Sequence, residues 1–388
     1  MTKICYLVRP CAGGMFKHIQ NLVAHFSGSC QLVLVVPAGS ELISAVNSFP
    51  VSVHELPLAE NVSVGRDFYS LKSLLAILRG EAPDLLHVHG YKMSFLGLLA
   101  SRITGVPAVV TLHNFPAYPQ ERLMSRFYSA MGKLQVDNGL RFITVSHALS
   151  RYLQDRMNIP ETKIEVIYNG INSKPFEEAL LNTEGRRNYS CLDFIKKEGV
   201  VLIGSVGRLA PQKGMERLVE AAALLAPRYP RARFVIIGEG PLRPNLERLI
   251  SKLGLTGRFF LAGYHDNLPA IMSRLDIFVL PSHYEGLSIA LLEALAAARP
   301  VVATSAGGVP EIVIPKKTGR LVPPGNPGRL AGAIGQMLSN PKEARNLALM
   351  GQKLIKTKFS SREMLHKTEA VYEGIVGESD KHEVSKVK

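Results

Sequence analysis

The chain has 388 residues, a length that suits two domains or one large one. With 46% hydrophobic and 20% charged residues it carries enough apolar material for two cores, which excludes disordered and collagen-like classes. Net charge is +14 and lies unevenly: residues 1–180 hold 16 Lys+Arg against 13 Asp+Glu, residues 181–388 hold 30 against 19, so the second half is the one suited to an anion.

From the amino terminus, the apolar run 4–8 is shorter than a secretory core and is followed by Arg9 and Pro10, so no signal peptide is expected. Nowhere do about 18 apolar residues run without a charge, and no membrane span is expected. Cys5, Cys11, Cys30 and Cys191 form no CxxC pair and show no repeated spacing, which disfavours a zinc site and a disulfide scaffold and points to a reduced compartment. Strand-like runs then occur at 3–8, 31–36, 85–89, 108–113, 141–145 and 164–168, separated by helical patterns at 15–26, 69–79, 93–103 and 147–157. The rhythm restarts with strands at 200–204, 232–237, 258–261, 277–280, 301–304 and 318–322 and helices at 215–226, 242–253, 287–298 and 327–338. Alternation of this kind predicts an α/β fold of two Rossmann-like, doubly wound domains in tandem, with a ligand in the cleft they face. The expected bounds are 1–175 for the first domain, joined by a last helix at 359–376, then 176–358 for the second and a flexible tail at 377–388. The polar stretch 174–198 is the linker candidate.

In parallel sheets ligands bind beyond the carboxyl ends of the strands, so the residues just after each run are the first candidates. After the first strand, Gly13 and Gly14 lead into a helix, where backbone N–H groups could meet an anion; a tight turn is the plainer reading. His113 ends the strand at 108–113 and could move a proton or donate a hydrogen bond. His87 and His89 alternate onto one face of a strand, but metal binding needs a third ligand that the spacing does not reveal, so packing is the reading preferred. In the second half Arg208 and Lys213 come after the strand 200–204; a planar fork and a mobile point charge together suit a diphosphate. Gly238-Glu239-Gly240 fails as a dinucleotide fingerprint because Arg243 stands where the third glycine belongs, and no P-loop sequence occurs. After the strand 277–280, Glu285, Gly286 and Leu287 precede a helix whose positive end would face a phosphate, with Glu293 about two turns inside, roughly 10 Å along the axis. Two carboxylates so placed could accept hydroxyl hydrogen bonds at the two ends of a molecule whose middle is a diphosphate. A nucleotide sugar is such a molecule. Dipole complementation by Glu285 and a merely polar helix position for Glu293 are the plainer alternative.

The chain resembles the glycosyltransferase family 4 proteins, retaining enzymes of the GT-B fold. The resemblance rests on GGMFKHI at 13–19, HVHG at 87–90, VVTLHN at 109–114, VIYNGIN at 166–172, VGRLAPQKG at 206–214, IIGEGP at 236–241, Glu285 and Glu293 eight positions apart, and GGVPEIV at 307–313. It implies that Arg208 and Lys213 bind the donor diphosphate, Glu285 the sugar hydroxyls and Glu293 the ribose hydroxyls, with backbone groups at Gly286 and Leu287 joining them. It further implies donor contacts at Gly13, Gly14 and Gly238, a place near the nucleobase for Tyr264, and a catalytic position close to the reacting centre for His113. Arg208, Lys213 and Glu285 would share that catalytic role. By the same resemblance the last helix returns to the first domain, the reaction needs no metal or other cofactor, and the nucleotide sugar is a substrate, most often a UDP-sugar. Many relatives carry an acidic residue where this chain has Phe16.

A cytoplasmic transferase of envelope glycan or polysaccharide synthesis, acting on a glycan or lipid-linked acceptor, is the pathway expected by family association. Leu123, Met124, Phe127, Tyr128, Met131 and Leu134 recur at helical spacing beside Arg122, Arg126 and Lys133, a pattern that either packs into a core or meets an anionic membrane at its inner face. A glycosidase would also use paired carboxylates, though this chain has no tryptophan to stack on sugars. A nucleotide-sugar epimerase shares the architecture. Nucleic acid is not an expected partner, because the basic residues are not interleaved with aromatics.

Overall fold

The computed structural model describes residues 1–11, 13–58, 64–116, 140–181, 192, 195 and 198–386. The chain forms two compact units: residues 1–168 with 362–388, and residues 169–361. The first boundary falls a few residues ahead of the expected 175.

The first unit is built on a seven-stranded, all-parallel sheet of order β3-β2-β1-β4-β5-β6-β7, comprising β1 (Lys3–Val8), β2 (Gln31–Pro37), β3 (Val51–Leu56), β4 (Leu85–His89), β5 (Ala108–Leu112), β6 (Arg141–Thr144) and β7 (Ile164–Val166). Its crossovers include α1 (Gly14–Phe26), α2 (Glu41–Val46), α3 (Val64–Glu81), α4 (Tyr91–Thr104) and α5 (His147–Met157). Every residue of β4 and β5 is buried, as continuous apolar runs require when helices cover both faces of a sheet. β3, absent from the sequence expectation, is an edge strand with only Leu56 fully buried, so its period-two polar pattern (Ser52, His54) carries little apolar signal.

The second unit repeats the plan with six parallel strands in the order β10-β9-β8-β11-β12-β13: β8 (Val201–Val206), β9 (Ala232–Ile237), β10 (Phe259–Gly263), β11 (Ile277–Leu280), β12 (Val301–Thr304) and β13 (Arg320–Val322). Its helices are α6 (Lys174–Leu181), α7 (Met215–Leu225), α8 (Arg243–Lys252), α9 (Leu268–Arg274), α10 (Ile289–Ala296), α11 (Pro327–Ser339) and α12 (Pro341–Lys358). α6 occupies the start of the expected linker. In both sheets the strand order reverses direction once, at β1/β4 and at β8/β11, and those switch points are where an open parallel sheet leaves a crevice for a ligand.

The last helix, α13 (Ser361–Lys386), belongs to the first unit. Met364, Leu365, Tyr372 and Ile375 enter the same core as Ile19, Leu22 and Phe26 of α1, each fully buried apolar side chain contributing roughly 1.5–3 kcal/mol. Tyr372 also fixes the helix by polar contacts, its hydroxyl meeting His87 Nδ1 and donating to the Tyr6 hydroxyl at 3.4 Å. The backbone of α13 stays helical through residues 377–386, where a tail was expected; that segment lacks proline and is rich in helix-favouring Glu and Lys. The apolar stripe between Leu123 and Leu134 lies outside the described residues.

Candidate active site

In the second unit the site grows from the carboxyl ends of β8 and β11, neighbours at the switch point. β8 ends at Val206; Gly207, Arg208 and Leu209 come next, then a single 3-10 turn, Pro211–Lys213, and Gly214. Gly214 has φ 59°, and a Cβ there would overlap the Pro281 carbonyl, so only glycine lets this turn lie against the loop after β11. The two loops are joined by His283 N–H donating to the Gln212 carbonyl at 2.8 Å.

That zipper brings two residues 72 positions apart into contact: Lys213 Nζ donates to Glu285 Oε1 at 2.6 Å. Ser282 Oγ donates to the same oxygen at 2.7 Å. The Glu285 carboxylate is 4% exposed, so these donors hold a buried charge in place, and Thr304 Oγ1 in turn donates to the Leu280 carbonyl at 3.2 Å and to that of Ser282. Gly308 N–H donates to the Glu285 carbonyl at 3.3 Å, tying in the GGVPEIV segment after β12. Arg208 is exposed at the end of β8 and makes no ion pair among the described residues.

On the other side of β8, Gly207 N–H donates to Ile237 O and Leu209 N–H to Glu239 O. Gly238 has φ 138°, and a side chain there would run into the Gly207 carbonyl; the glycines of IIGEGP permit close approach of two loops, which explains them without a dinucleotide. Gly238 N–H also donates to the Gly263 carbonyl at 2.7 Å, which places Tyr264, 68% exposed, at the same edge of the sheet.

The structure alters the reading of the helix after β11. α10 begins at Ile289, not near Leu287: Ser288 is its N-cap, accepting from Leu291 N–H at 3.4 Å, because a serine hydroxyl satisfies a free amide that Gly286 cannot. Gly286 and Leu287 are buried loop residues ahead of it. Glu293 is therefore about one turn inside, ~6 Å along the axis, rather than two. It is buried at 3% exposure. Asn169, to which spacing assigned no role, donates from Nδ2 to the Leu287 carbonyl at 3.1 Å and so fixes the loop bearing Glu285 and Gly286. Ser282 and Asn169 lie in segments the sequence reading used, but neither is ionisable, and a hydroxyl or amide that positions a neighbour leaves no mark in spacing alone.

In the first unit Gly13 caps α1, with Gly14 its first residue, and His113 comes directly after β5. His18 of α1 meets His113 with ring centroids 4.7 Å apart, edge to face, and His89 Nδ1 lies 3.2 Å from His113 Nε2. His87 is different: both nitrogens are occupied, by Tyr372 and by Thr111 Oγ1 at 2.7 Å. Burial first, and the neighbouring imidazoles second, hold His87, His89 and His113 well below the usual histidine range, so all three are neutral near pH 7. The sequence reading of packing suits His87, whereas His89 lies with His18 and His113, which the spacing does not reveal.

Two family descriptions match the chain in tandem, Glycosyltransferase Family 4 over residues 12–174 and Glycosyl transferases group 1 over residues 193–354. An uncharacterized glycosyltransferase of Methanocaldococcus jannaschii is 30% identical over 369 residues, covering 93% of this chain and 94% of its own. The UDP-Gal:alpha-D-GlcNAc-diphosphoundecaprenol alpha-1,3-galactosyltransferase of Escherichia coli is 30% identical over 256 residues, 65% of each chain. Among solved structures, Anabaena HepE in complex with UDP-glucose superposes with a TM-score of 0.79 at 20% identity, over 98% of this chain and 100% of that one. The two parallel sheets, the ordered motifs and these matches together establish that the chain belongs to glycosyltransferase family 4, with the GT-B fold.

Proposed function

We propose that this glycosyltransferase moves a sugar, with retention of configuration, from a UDP-sugar to a hydroxyl of a glycan or lipid-linked acceptor in cell-envelope or polysaccharide synthesis, without a metal. The observation that carries the donor reading is the pairing of Lys213 with buried Glu285 at the β8/β11 switch point, with exposed Arg208 two residues past the end of β8. The solved UDP-glucose complex of HepE and the UDP-Gal donor of the Escherichia coli relative support a UDP-sugar, and the diphosphoundecaprenol acceptor of the latter supports a lipid-linked one.

In this reading the Arg208 fork and the Lys213 ammonium take the diphosphate oxygens. Lys213 has three donors, so it can keep Glu285 and still reach a phosphate. Glu285, held by Ser282 and Lys213, accepts from sugar hydroxyls, and Glu293 accepts from the ribose. Backbone groups at Gly286 and Leu287 contribute, with Gly238 and Tyr264 toward the base and Gly13 and Gly14 toward the phosphates. As the glycosidic bond breaks, charge builds on the leaving diphosphate, where fixed cations stabilise it more than in the ground state. The acceptor hydroxyl attacks the face the diphosphate leaves and passes its proton to a leaving phosphate oxygen. His113, held neutral, contributes a hydrogen bond near the reacting carbon. No described helix is long and apolar enough to cross a membrane; contact with an anionic inner leaflet and a cytoplasmic location belong to the same proposal.

A thermal-shift panel of UDP-, GDP- and ADP-sugars tests this, since a ligand that binds only the folded state raises the melting temperature by mass action. The expected result is a rise with a UDP-sugar. No rise with any nucleotide sugar would sink the donor assignment.

A further inference from the structure

We propose that His18, His89 and His113 form a binding site for a zinc ion in the first unit. One ligand nitrogen from each lies within 4.8 Å of the other two, the one such group of three among the described residues. The three come from separate elements: His18 from α1, His89 from the end of β4 and His113 from the loop after β5. A tetrahedral zinc with Zn–N bonds of about 2.0–2.1 Å sets neighbouring ligand nitrogens roughly 3.3 Å apart. His89 Nδ1 and His113 Nε2 already stand at 3.2 Å.

The contrast with His87 separates a ligand cluster from ordinary core histidines. His87 spends both ring nitrogens on hydroxyl partners, whereas fully buried His89 turns its Nδ1 to the imidazole of His113 and its Nε2 has no hydrogen-bond partner among the described residues. Three imidazoles with no carboxylate select a borderline ion such as zinc over magnesium or calcium, which prefer oxygen. Three protein ligands also leave a fourth position open. His113, alone of the three, is partly exposed, which gives the ion a way in. Occupancy would take His113 away from substrate, so zinc would inhibit transfer; that consequence rests on the role proposed above for His113, while the site itself does not.

The test uses tag-free, EDTA-dialysed full-length protein titrated with cobalt(II), whose visible ligand-field absorption reports a tetrahedral site, and then displacement with zinc. We expect one equivalent of cobalt per chain with an intense visible band that zinc abolishes. His18→Ala and His18→Gln should each weaken binding at least about tenfold, the lower end of what even outer-shell losses cost, while His25→Ala, on the exposed face of the same helix, should bind as the parent does. Melting curves without metal verify that each variant is folded, and the two His18 substitutions guard against one failing to fold. Absence of the band in the parent protein, or equal binding by the His18 variants, would overturn the site. Zinc binding with no inhibition of transfer would instead refute the role of His113 and leave the site standing.

Discussion

Lowering pH from 7.5 to 5.5 should destabilise the first unit through three of its histidines. His87, His89 and His113 are held well below their ordinary values, so in the folded state they stay neutral over this range, while in the unfolded chain each titrates near 6.5. The unfolded state thus binds more protons as pH falls, and stability present above pH 6.5 is lost below it. Each group contributes a loss of about 1.4 kcal/mol across these two units, and the three together about 4 kcal/mol, a large share of the 5–15 kcal/mol typical of a domain. The half-buried carboxylates with lowered values, Glu81 and Glu177, titrate lower still and do not enter this window. Cys5, fully buried on the central strand β1, reports opening of this unit alone. With the other three cysteines replaced by serine, a brief dithiodipyridine pulse along a urea series measures the midpoint at each pH. At a slope of about 2 kcal/mol/M the midpoint should fall by roughly 2 M. A midpoint unchanged within about 0.3 M, or rising as pH falls, would refute the assignment of neutral buried imidazoles.

Tyr372→Phe removes the hydroxyl shared by His87 and Tyr6 and should cost the first unit about 1–3 kcal/mol, read by the same Cys5 pulse, with no change in donor affinity. Ser288→Ala removes the cap of α10 and should lower the stability of the second unit by about 1 kcal/mol in denaturant unfolding. Gly214→Ala places a Cβ against the Pro281 carbonyl at φ 59° and should separate the Lys213 turn from the Glu285 loop, so UDP-sugar affinity should fall by at least about tenfold, more than stability alone explains; unchanged affinity would contradict the zipper as the device that forms the site.

Much of the architecture was legible because parallel strands buried on both faces are unbroken apolar runs. Leu85–His89, Ile277–Leu280 and Val301–Thr304 stand where the runs predicted them. Edge strand β3 and helix α12 were not foreseen: one alternates with polar residues, and the other begins at Pro341 and carries five Lys and Arg among its eighteen residues, so neither stands out as an apolar segment. The site divides the same way. Lys213 and Glu285 were singled out as charged residues after separate strands, and the sheet order, which spacing does not encode, brings them to 2.6 Å. Ser288 as helix start was missed because Gly286 offered a competing signal, although serine is the stronger cap. His18 escaped notice because its partners stand on β4 and after β5; only packing of α1 against the sheet unites them.

The most direct test of the account is calorimetric titration of UDP into the parent protein, Arg208→Ala and Lys213→Ala. Charge-assisted hydrogen bonds of about 1.5–3 kcal/mol predict a loss of affinity of roughly ten- to a hundredfold in each variant, with melting temperatures near that of the parent. Undiminished UDP binding by both variants would contradict the claim that these two cations hold the donor diphosphate.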